Sequence, residues 1–114
     1  MPKKANKKSI LDFDSYQRLA RKTVIYPKRH KLYYPCIGLA GEVGELCNKV
    51  KKQMRDNARL DKNDLASECG DILWYLNAVI SDLGLGLEDV AQKNIDKLND
   101  RMRRGRLKGS GDNR

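Results

Sequence analysis

The sequence predicts an all-α fold, a bundle of four to five helices. Three observations carry this expectation. Apolar residues recur at spacings of three and four along nearly the whole chain, and no window of five or more β-branched or aromatic residues alternates as a strand would. The 114 residues are 39 % hydrophobic and only 6 % aromatic, enough for one domain with a thin core. Completion of that core by oligomerisation is therefore expected.

The helices follow in order. A first one should take Asp12 or Asp14 as its cap and run through Tyr16, Leu19, Ala20 and Val24, stopping before Pro27, because the residue preceding a proline is steered away from the α region. Residues 26–34 form a basic and aromatic connection. Pro35 suits the first turn of a second helix, where its missing N–H costs nothing. That helix has an apolar seam of Leu39, Val43, Leu46 and Val50 and fades into the polar run 55–59. Asp61 can cap a third helix with the longest seam, Leu65, Cys69, Ile72, Leu76, Val79 and Leu83, which places Cys69 as a buried thiol. Gly84 should end it. The fourth opens around Leu87, Glu88 and Asp89, whose acids suit its N-terminal dipole, buries Leu87, Val90, Ala91, Ile95, Leu98 and Met102, and ends at Gly105. The resulting organisation is a flexible basic arm (1–11), one helical domain (12–104) and a Gly-rich basic tail (105–114).

Charge narrows the function classes. The formal net charge is +9, but residues 1–10 contribute +4, residues 101–114 contribute +5, and residues 11–100 sum to zero. A basic face spread over the domain, as duplex binding requires, is not what this distribution describes, so nucleic acid is an unlikely partner. No apolar run is long enough to cross a membrane, and no apolar segment follows the basic start, so a cytoplasmic location is expected, in the host if the chain is phage-encoded. Cys36, Cys47 and Cys69 show no CxxC spacing, which argues against both a disulfide framework and a zinc site involving His30.

Four acids stand apart from this pattern. Glu42 and Glu45 lie three apart on the second helix, and Glu68 and Asp71 three apart on the third, so each pair shares a helix face. A solvated charged face predicts opposite charges at i+4. Only Glu45 has one, Lys49; Glu42, Glu68 and Asp71 have Leu46, Ile72 and Tyr75. The rows flanking the seams read Gly38, Glu42, Glu45, Lys49 and Asp64, Glu68, Asp71, Tyr75. Antiparallel packing of the two helices would bring four carboxylates to one pocket, where like charges raise one another's pKa or require a cation. An oxygen-only set suits Mg²⁺ or Mn²⁺.

The string from Gly38 to Leu46, followed by that from Glu68 to Leu76, resembles the ExxE and ExxD signature of the MazG-like nucleoside triphosphate pyrophosphohydrolases, all-α enzymes. The resemblance runs over about residues 14–114 and includes a tail like that of short phage and bacterial members. It implies Mg²⁺-dependent cleavage of a (deoxy)nucleoside triphosphate between the α and β phosphates, giving a monophosphate and pyrophosphate. Glu42, Glu45, Glu68 and Asp71 would hold one to three Mg²⁺ ions, with Mn²⁺ a substitute, and Glu45 by preference would orient or deprotonate water. Tyr75 matches a tyrosine near the nucleotide. Lys93, Asn94, Lys97 and Arg101 would contact phosphates, a solvated basic face being the alternative for each. His30 falls where relatives place base or sugar contacts. By helical phase Trp74 faces away, toward core or subunit packing. A homotetramer or homodimer is expected. Arg101 and its neighbours would draw the triphosphate toward bound metal. The competing readings are a basic helical nucleic-acid-binding or interaction module without catalysis, and a related enzyme acting on a diphosphate or a single pyrimidine nucleotide.

Overall fold

The computed structural model describes residues 11–114. Of the expected basic arm, residues 1–10 lie outside the described residues. Four helices follow: α1 (Phe13–Arg21), α2 (Tyr33–Arg55), α3 (Lys62–Asp82) and α4 (Leu87–Arg103), with a short 3-10 turn, Lys28–His30, before α2. No strand occurs among the described residues.

Local chemistry explains the ends. Asp12 caps α1 reciprocally: its Oδ1 accepts from the Ser15 amide at 2.8 Å, and Ser15 Oγ accepts from the Asp12 amide at 2.9 Å. This helix stops at Arg21, short of the Val24 expected from sequence. Thr23 is the reason: its amide and its Oγ1 both donate to the Ala20 carbonyl, at 3.0 and 2.7 Å, taking the acceptor that Val24 would need to continue the helix. Pro35 sits buried in the first turn of α2, and Asp61 caps α3 by accepting from the Asp64 amide at 3.1 Å. Gly84 and Gly105 close α3 and α4 at φ +77 and +70, where a side chain would be strained.

α2 and α3 pack as an antiparallel hairpin, the largest interface in the chain, while α1 lies across the C-terminal part of α3 and the start of α4. Gln17 ties that joint together. Its Nε2 donates to Ser81 Oγ and to the Leu85 carbonyl, and its Oε1 accepts from the Leu87 amide, all at 2.9 Å. The first amide of α4, otherwise without a partner, is thus satisfied by α1.

The core is small and displaced from the expected seam. Ala20, Ala78, Ile80 and Leu87 are buried, whereas Leu76 and Leu83 are exposed and so is Cys69, which is not the buried thiol expected. Trp74 packs toward α1, donating from Nε1 to Thr23 Oγ1 at 2.7 Å, and α3 is therefore turned so that half its apolar stripe faces outward. α4 departs similarly. Leu87 is buried and Val90 and Ala91 are half-buried, but Ile95, Leu98 and Met102 are exposed, because α4 meets α1 and α3 and, among the described residues, the tail that returns to its later turns contacts the side of Lys97, Arg101 and Arg104.

The tail is not a frayed end. Residues 105–114 turn back on α4: Arg104 Nη2 donates to the Arg114 carbonyl at 2.8 Å, and Arg114 donates to the carbonyls of Arg106, Leu107 and Gly111.

Candidate metal centre

The α2–α3 hairpin brings together three of the four acids. Glu42, Glu68 and Asp71 each offer one carboxylate oxygen to a group whose atoms all lie within 4.8 Å of one another. Glu45, one turn along α2, is exposed and outside this group. Its charge is nonetheless felt. Partial burial, then the charges of Asp71 and Glu68, a hydrogen bond with Glu68 and the charge of Glu45 together hold the Glu42 carboxyl above the usual range.

Lys49 is not the partner of Glu45 that the i+4 spacing suggested. Its Nζ crosses to α3 and lies 2.6 Å from Asp64 Oδ1 and 2.6 Å from Glu68 Oε2. The hydrogen bonds it donates to both acids hold its ammonium protonated well above the ordinary lysine range.

Beside the acids is an aromatic recess. Tyr75 lies flat against the backbone of α2 at Gly38, where an added Cβ would stand 2.2 Å from Tyr75 Cε1. Here the absence of a side chain lets the ring approach. Tyr34, Ile37, Gly38 and Tyr75 line a cavity of about 270 Å³. Tyr34 stacks on Tyr26 with ring centroids 4.8 Å apart, and Trp74 meets Tyr75 edge-on at 5.0 Å. Burial, followed by the proximity of Tyr34, Glu42 and Asp71, pushes the Tyr75 hydroxyl up, so it remains a neutral donor.

The α4 residues stand differently. Lys93 and Asn94 are exposed, and Lys97 Nζ pairs with Asp112 Oδ1 of the tail at 3.2 Å. Arg101 is buried, its side chain 5 % exposed, and its Nη2 donates to the carbonyls of Gly111 and Asp112 and to the Asp112 carboxylate. Far from projecting as a lure for anions, Arg101 anchors the tail. His30 is exposed in the 3-10 turn.

The order of elements and the hairpin of acids converge with one comparison. The model of the MazG nucleotide pyrophosphohydrolase domain matches residues 29–105. The chain belongs to the MazG nucleotide pyrophosphohydrolase family. The "Gene 37 protein" of Mycobacterium phage L5 is 41 % identical over 111 residues, spanning 89 % of this chain and 97 % of that protein. No solved structure matches.

The MazG match includes all four acids, the aromatic recess and α4. Three residues of this MazG chain escaped the sequence reading: Lys49 as a bridge to α3, Gly38 as the seat of Tyr75, and Asp82, whose carboxylate accepts from the Tyr26 hydroxyl and the Leu32 amide, as the anchor of the connection before α2. Two were available in the flanking rows. Read antiparallel, the rows oppose Gly38 to Tyr75 at one end and Lys49 to Asp64 at the other, with the acids between them.

Proposed function

We propose that this chain hydrolyses (deoxy)nucleoside triphosphates between the α and β phosphates, releasing a monophosphate and pyrophosphate, with Mg²⁺ as its natural cation and Mn²⁺ as a substitute. The observation that carries this reading is the meeting of Glu42, Glu68 and Asp71 within the span matched by the MazG domain. The donor set fits the ion: three carboxylates from two helices supply hard oxygen ligands, with neither imidazole nor thiolate among them. When bound, the cation neutralises phosphate charge and lowers the pKa of water.

The residues of the chain supply the rest. Glu42, Glu68 and Asp71 hold the cation. Glu45, which makes no ion pair among the described residues, stays available to orient the attacking water and accept its proton. Tyr75, seated on Gly38, forms one wall of the nucleoside recess, with Tyr34 and Ile37 opposite. Lys93, Asn94 and Lys97 present polar ends for the outer phosphates, while Arg101 acts through the tail it secures. His30, in the basic turn before α2, is a base or sugar contact.

The exposed apolar side chains of Leu76 and Leu83 along α3 and of Ile95, Leu98 and Met102 along α4 support a homodimer or homotetramer, since the described residues leave them uncovered. Among the described residues no helix is long and apolar enough to cross a membrane. We assign the activity to the cytoplasm, that of a host where the protein is phage-borne.

Glu42→Gln and Asp71→Asn test the assignment. Each should reduce Mg²⁺-dependent pyrophosphate release to below about one-hundredth of wild type with helicity retained. Unchanged turnover would sink it.

A further inference from the structure

Lys49 has no place in the chemistry above, yet it is bound by two carboxylates at 2.6 Å, one of which, Glu68, is also a member of the acidic trio. Glu68 is the most enclosed of these partners, its side chain 13 % exposed against 44 % for Asp64. An ammonium and a divalent cation on one carboxylate repel each other, so each weakens the other's hold on Glu68. Asp64 lies one helical turn before Glu68 and already holds the same Nζ, so the ammonium can leave Glu68 without losing an anionic partner.

We propose that Lys49 is the internal counter-ion of Glu68, yielding that carboxylate to an incoming divalent cation and retiring onto Asp64, so that Lys49 and Asp64 together set the cation affinity of the site. Lys49 is a positioning residue here. It lies between the hairpin's two helices and keeps the α3 acids turned toward α2 before the cation arrives. Asp64 is the resting place that makes the exchange reversible. The inference rests on the cation site proposed above.

The test is calorimetric titration of the full chain with Mn²⁺, without nucleotide, so that binding is read apart from turnover. Lys49→Met should bind Mn²⁺ about tenfold more tightly than wild type, because Glu68 no longer has a competitor. Asp64→Asn, which keeps the lysine but removes its resting place, should bind about threefold more weakly. Lys52→Met, on the same helix with the same loss of charge, should remain within twofold of wild type. The inference is overturned if Lys49→Met binds no more tightly than wild type, or if Lys52→Met matches its gain. Should Lys49→Met fail to fold, wild-type affinity in Asp64→Asn overturns it independently. Absence of Mn²⁺ binding by the wild-type chain would overturn the cation site itself and this inference with it; binding that ignores Lys49 and Asp64 overturns only the latter.

Discussion

Asp82, the last residue of α3, and the Glu42–Glu68–Asp71 group, midway along the α2–α3 hairpin, show two settings for a carboxylate. Asp82, its side chain 1 % exposed, accepts from Arg21 Nη2 at 3.0 Å, Tyr26 Oη at 2.8 Å and the Leu32 amide at 2.9 Å. Burial alone would push its carboxyl up; the Leu32 amide, the Tyr26 hydroxyl and the Arg21 guanidinium outweigh that and hold it below the usual range. The bond to Leu32 also secures a residue at φ +70, an unfavourable conformation for leucine, directly before α2. In the hairpin group the acids face one another, and Glu42 is raised. A carboxylate satisfied by the chain's own donors belongs to the fold. The hairpin group has Lys49 on Glu68 and otherwise carboxyls facing carboxyls, the arrangement on which the proposed cation site rests.

The largest expected effect on stability falls at the satisfied carboxylate. Asp82→Asn should cost about 3 kcal/mol, because the Arg21 charge and two donors lose a matched acceptor, whereas neutralising Glu42 relieves repulsion and should leave the melting temperature equal or higher. The pH dependence follows from the lowered carboxyl. Its contribution is present above the ordinary aspartate value of about 4 and fades as pH falls through the folded value, so the wild-type advantage over Asp82→Asn should shrink in acid. Thermal melts of the two proteins from pH 7 downward check both statements, and a gap that widens in acid would refute the assignment.

Gly38→Ala should act at the border between fold and site. A methyl at 2.2 Å from Tyr75 Cε1 forces the ring or the hairpin to move, at about 1–2 kcal/mol, and should raise KM for nucleotide more than it lowers kcat. A melting curve and steady-state kinetics separate the two effects. Asp112→Asn is the smallest perturbation: it releases Lys97 from an exposed pair and takes one carboxylate contact from Arg101, which keeps the Gly111 and Asp112 carbonyls, and KM for a triphosphate should fall about twofold if Lys97 serves the phosphates. An unchanged KM would leave Lys97 to the tail.

Features governed by neighbouring residues were legible in the sequence. The Asp12 and Asp61 caps, the stops at Gly84 and Gly105 and the all-helical class all follow from local backbone chemistry, and the three converging acids from period and spacing. What escaped depends on the choice among distant partners. A helical period marks the stripe containing Cys69, Leu76 and Leu83 but not what covers it, and α1 turns α3 away from that stripe through Trp74 and Gln17. The i+4 rule sees only one helix, so it gave Lys49 to Glu45 when Asp64 and Glu68 lay closer across the hairpin. Likewise, nothing local to Arg101 reveals that Asp112 and the Gly111 carbonyl return to bury it.

We propose that the acid group serves hydrolysis of a triphosphate at the α,β linkage. Its most direct test is phosphorus NMR of the wild-type chain with Mg²⁺ and a panel of ribo- and deoxyribonucleoside triphosphates, following each product. Monophosphate and pyrophosphate should form in equal amounts from at least one member of the panel. Diphosphate with inorganic phosphate, or no turnover of any of them, would contradict it.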